Sequence, residues 1–81
     1  MDEKEIQRTT ERLVDVYALD RHIHEGFYPL NYFEGVPIKD LHRGVHTVIF
    51  NERESLKRAG HPEIVVFIEE FDKVEREKYG V

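Results

Sequence analysis

Ile38-Lys39-Asp40-Leu41-His42-Arg43-Gly44-Val45-His46-Thr47-Val48-Ile49-Phe50-Asn51-Glu52-Arg53-Glu54-Ser55-Leu56-Lys57-Arg58-Ala59 is the stretch whose reading decides the fold. Placed at helical steps of about 100° per residue, Ile38, Leu41, Val45, Val48, Ile49, Leu56 and Ala59 share an arc of about 100°, which predicts one amphipathic helix. Pro37 stands where a helix begins and Gly60 where one ends. A competing signal sits at Asn51-Glu52-Arg53-Glu54, which has the form of a capping box and would open a second, shorter helix. The middle helix is therefore expected to be continuous, or kinked or broken near Asn51.

Working outward, residues 3–25 place Ile6, Leu13, Val16, Tyr17 and Ile23 on one side, joined by Thr9 and Thr10, with most charges opposite. That segment reads as an amphipathic helix ending near Gly26. Pro62 and Glu63 open the last segment, in which Ile64, Phe67, Ile68, Phe71, Val74 and Tyr79 are expected to form one face up to Gly80. Between the first two segments, residues 27–37 hold two prolines, a glycine and four aromatics, which suits a packed connection better than a helix. The fold class expected is all-α, a small bundle of three main helices formed by residues 1–81 as one domain and completed by oligomerisation. The alternative is α+β, with strands at 45–50 and 64–68, since both stretches are rich in β-branched and aromatic residues.

Composition limits what such a chain can do. With 81 residues the core is small, so self-association, most simply a dimer, is the expected source of further burial. The absence of cysteine removes disulfides and thiolate metal sites and fits a reducing cytoplasm. No apolar run reaches the roughly 18 residues of a membrane span, and the start Met1-Asp2-Glu3-Lys4-Glu5 lacks the features of a signal peptide. The expectation is a soluble, cytoplasmic protein with no membrane partner.

The net charge of −5 is unevenly spread. Residues 1–26 carry seven acids and four bases, residues 27–61 four acids and five bases, and residues 62–81 six acids and three bases. Alternation of sign along the chain suggests that its pieces attract one another, within a subunit or between two. On the middle helix Lys39, His42, Arg43, His46, Arg53 and Lys57 form a basic stripe beside the apolar one. It could bind an acidic partner protein, an anionic ligand or a nucleic-acid backbone, or simply pair with acids of the flanking helices such as Glu11, Asp15, Glu69 and Asp72. Nucleic acid ranks low, because no reading motif, stacking platform or basic overall balance supports it.

A second constellation is metal-binding in character. His42 and His46 are four residues apart and would share a helix face, and Asp20 and His24 repeat that spacing on the first helix. Asp20 lies inside an apolar stripe, where an unpaired carboxylate is costly, and Glu52 does so on the middle helix. Asp20, His24, His42, His46 and Glu52 are thus the candidate ligands for zinc or iron, in the way bundles build inward-facing sites. The bland alternative pairs Asp20 with Arg21, His24 or a neighbouring subunit and makes Glu52 a first-turn acid of the short helix. The His22/His24 pair reads more simply as solvated histidines near a helix C-terminus, and Lys73–Lys78 as a solvated helix face with supporting ion pairs.

The aromatics Phe27, Tyr28, Tyr32 and Phe33 are candidates for an interface, or for a lid on the core. The chain has no glycine-rich phosphate loop, Gly-x-Ser-x-Gly elbow or His-Glu-x-x-His pair, and its single serine is Ser55. These absences favour a non-enzymatic role. The expected function is that of a small interaction or regulatory protein acting by self-association and partner binding, with a metal-binding bundle and an anion-binding surface as the alternatives.

Overall fold

A computed structural model describes residues 2–24, 35 and 37–80 and places them in three helices, α1 (Glu3–His24), α2 (Ile38–Arg58) and α3 (Pro62–Tyr79). Among the described residues there is no strand. Residues 45–50 lie in α2 and 64–68 in α3, so the α+β alternative fails. β-branched residues at spacings of three and four bury one helical stripe, and that pattern outweighs their strand preference.

Each helix starts and stops for a local reason. At the head of α1 the Asp2 side chain accepts the Glu5 backbone N–H at 2.8 Å, a cap for one of the otherwise unbonded amides. Pro37 precedes α2, and its carbonyl accepts the N–H groups of Asp40 and Leu41. At the far end the Gly60 N–H donates to the Lys57 carbonyl and the His61 N–H to the Leu56 carbonyl, the paired bonds of a Schellman stop. That stop needs a left-handed residue, and Gly60 supplies it at φ 86°. Pro62 then occupies the first turn of α3, where it forfeits no helical hydrogen bond.

α2 runs unbroken through Asn51, so the capping-box alternative is corrected. Asn51 uses its carbonyl as an interior helical residue does, accepting the Ser55 hydroxyl at 3.0 Å. The neighbouring side chains have partners elsewhere, Glu52 with Arg12 on α1 and Arg53 with Glu69 on α3.

The core joins Leu13 and Ile23 of α1, Leu41, Val45, Ile49 and Leu56 of α2, and Val65 and Ile68 of α3. Leu13 and Leu56 are fully buried. α3 is turned differently from the sequence expectation. It buries Val65, Ile68 and Asp72, and leaves Phe67 73%, Phe71 48% and Val74 58% exposed. Its apolar residues cover about half the helix circumference, wider than the groove two other helices can offer, so one edge of the arc stays outside. Among the described residues, no helix is long and apolar enough to cross a membrane. Phe27, Tyr28, Tyr32 and Phe33 lie outside the described residues.

Replacing Leu56 by Ala should cost about 2–5 kcal/mol, through lost burial and a residual cavity. A chain of this size is stable by on the order of 4–12 kcal/mol, so the urea midpoint should fall sharply. Val66→Ala, at a surface position, should move it little.

Candidate functional site

Asp20 sits one turn before the end of α1, three residues ahead of the core residue Ile23, and is only 3% exposed. A carboxylate there must be paired to be tolerated. Arg76 of α3 provides the pairing, with Nη2 at 2.5 Å from Asp20 Oδ2 and Nε at 2.7 Å from Asp72 Oδ2. Arg21 closes the chain of contacts from α1, its Nη1 donating to Asp72 Oδ1 at 2.6 Å. A planar guanidinium with fixed donors suits such double engagement, which an ammonium could not reproduce. Burial works against the Arg76 charge, but its hydrogen bonds to Asp72 and Asp20 outweigh that and hold its pKa above the ordinary arginine value.

The network departs from the sequence expectation in two ways. Arg76 falls in the tail read as a solvated face, yet it enters the seam between α1 and α3. Arg21 bonds Asp72 rather than its neighbour Asp20. The missed signal was the Asp72/Arg76 spacing of four at the edge of an apolar arc, which places both groups beside a buried surface.

The other oxygen of Asp20 faces α2. His46 Nε2 lies 3.2 Å and His42 Nδ1 3.8 Å from Asp20 Oδ1. The two imidazoles are one turn apart, ring centroids separated by 6.2 Å and planes inclined at 62°. One donor atom from each of Asp20, His42 and His46 lies within 4.8 Å of the other two. Of the five metal candidates, these three come together. Glu52 does not, since it bonds Arg12 Nη1 at 3.2 Å well along the helix pair. The side chain of His24 lies outside the described ones.

The basic stripe divides. Lys39, His42, Arg43 and His46 line an open hollow on α2. Arg53 is drawn inward to Glu69 Oε1 at 2.6 Å, and Lys57 reaches Glu54 at 3.8 Å on its own helix. In the middle of this face stands Phe50, 58% exposed. Tyr17 supports the Arg53–Glu69 pair by donating to Glu69 at 3.5 Å, and burial followed by the Glu69 charge raises its pKa. Of the other acids expected to pair with the stripe, Glu11 accepts from Gln7 one turn away, and Asp72 holds Arg21 and Arg76.

A second exposed aromatic feature lies between α1 and α3. Thr10, Val14, Ile64, Phe67, Ile68 and Phe71 form adjoining shallow grooves, with Glu63 on the bank. The Glu63 carboxyl is held below the usual carboxylate range by its own backbone N–H at the start of α3, and then by His61 at 3.0 Å.

Comparison of the chain with protein-family models, curated proteins and solved structures finds no match.

Arg76→Leu should leave two buried carboxylates short of a cation and cost about 2–3 kcal/mol, read as a fall in the urea midpoint. Arg76→Lys, which keeps the charge but loses the fork, should recover only part of it.

Proposed function

We propose that this chain is a self-associating helical interaction protein, in which the Phe50-centred basic face of α2 on one copy docks on the aromatic groove between α1 and α3 of another. The observation that carries the reading is the coexistence of two exposed aromatic faces of opposite sign. On α2, Arg43 and Lys57 lie about two turns on either side of Phe50, with Lys39 and His46 on the same arc. On α3, Glu63 and Glu70 flank Phe67, and both acids are exposed.

Several physical considerations support this pairing over a symmetric contact of α3 with α3. Glu63, Glu70 and Glu77 line one edge of the exposed α3 arc, so like helices brought together would set acids against acids. The α2 face brings a basic rim and an aromatic centre instead, the composition that anchors protein interfaces. Laying an amphipathic helix in an apolar groove is also a recurring recognition mode. Because each copy carries both faces, the contact is head-to-tail and closes into a ring, the smallest being a dimer, or extends. A partner protein with a basic amphipathic helix would use the same groove, which is how such a chain would regulate as well as assemble.

Light scattering across a concentration series should show association that weakens with salt. Arg43→Glu with Lys57→Glu should give a monomer, and so should Glu63→Lys with Glu70→Lys. Mixed in equal amounts, the two variants should each retain one intact face carrying its native charge, but those faces belong to different partners, and a one-to-one complex should form. A wild-type chain that stays monomeric at high concentration would overturn the reading. So would association that both charge reversals leave intact.

A further inference from the structure

The geometry points to a second property: Asp20, His42 and His46 form a binding site for a divalent transition-metal ion of the zinc class, with Arg76 as the positioning residue behind it. Donors bound at about 2.0–2.1 Å in a tetrahedral site stand about 3.3 Å from each other. Asp20 Oδ1 lies 3.2 Å from His46 Nε2 and 3.8 Å from His42 Nδ1, so both carboxylate-to-imidazole separations are already close to what an ion requires, and one donor atom from each residue lies within 4.8 Å of the other two. Two imidazoles and one carboxylate are a borderline donor set that favours zinc, cobalt, nickel or copper over magnesium or calcium.

The support behind the donors has the form of a metal site. Asp20 cannot turn freely, because its other oxygen is held by Arg76 at 2.5 Å, and Arg76 is in turn fixed by Asp72. Outer partners of this kind orient a ligating carboxylate. Both histidines project from one rigid helix, so little ordering is needed on binding. Access is open, since the His46 side chain is 63% and that of His42 28% exposed. Three protein donors leave the remaining positions to water. The nearby charges of Arg76, Lys39 and Arg43 oppose a further cation, so affinity should fall in the micromolar range rather than that of closed structural sites.

The test is calorimetric titration of the metal-free chain with zinc chloride, repeated with cobalt, whose visible spectrum reports nitrogen and oxygen coordination of low symmetry. One ion per chain is expected, together with a rise in melting temperature on adding zinc. His46→Ala, at an exposed position, should fold normally yet weaken binding at least tenfold and abolish that rise. His42→Ala should do the same, while His22→Ala, which removes an exposed histidine outside the cluster, should change neither. No saturable binding up to millimolar zinc would overturn the proposal, as would binding that survives both His42→Ala and His46→Ala. Performing the titration on the monomeric variant Glu63→Lys with Glu70→Lys separates this outcome from the fate of the self-association reading.

Discussion

The Asp20 carboxylate, held in the seam between helices by Arg76, is the constraint on which the arrangement of this protein depends. Among the described side chains, α3 gives the core only Val65 and Ile68 as buried apolar residues, with Ile64 half-buried beside them, too little to fix how that helix lies on the other two. The guanidinium of Arg76 spans Asp20 on α1 and Asp72 on its own helix, while Arg21 grips Asp72 from the opposite side. Such pairs carry a desolvation cost and add little net stability. What they do add is discrimination: a helix slid or turned by one residue would part Asp20 from Arg76 and Asp72 from Arg21, whereas an apolar contact would merely change partners.

The same constraint explains why so much apolar surface faces outward. Turning α3 to satisfy Asp72 and Arg76 sets Phe67, Phe71 and Val74 on the solvent side of its apolar arc. Among the described residues no further element covers them. The proposed association rests on this exposed cluster, whereas apolar residues scattered singly over a surface are ordinary. The ion network and the sticky groove are thus two results of one choice of helix rotation.

Much of the fold could be read in the sequence because the middle stretch carries a full helical period. Leu41, Val45, Ile49 and Leu56 repeat at spacings of four and seven, and Pro37 and Gly60 punctuate the ends. The capping box at Asn51 misled because Glu52 and Arg53 have the composition of a helix start, but their partners, Arg12 and Glu69, are distant in sequence. The wheel likewise could show that Asp20 and Glu52 both point toward apolar stripes, but not at what height along the bundle. Height decides the matter: Asp20 meets His42 and His46 near one end, while Glu52 meets Arg12 nearer the other. The rotation of α3 was not legible, because an arc of apolar residues wider than one groove does not say which edge is buried. Only the Asp72/Arg76 pair could have marked the inner edge.

The two proposed properties share the face of α2, and that has a thermodynamic consequence. His46 lies on the same arc as Arg43, Phe50 and Lys57, so an ion held by Asp20, His42 and His46 would add positive charge beside the surface that meets the acidic groove. Charge added at that rim strengthens attraction to Glu63 and Glu70 of the next copy, and linkage requires the reverse as well: docking of an acidic groove would tighten the ion. The coupling needs no conformational change, because Asp20 is already fixed by Arg76 and both histidines stand on one helix. Its size depends on how close the acids approach and on salt, as for any pair of exposed charges. A bundle with no catalytic motif can then still respond to its surroundings, through the charge carried on a single helix face.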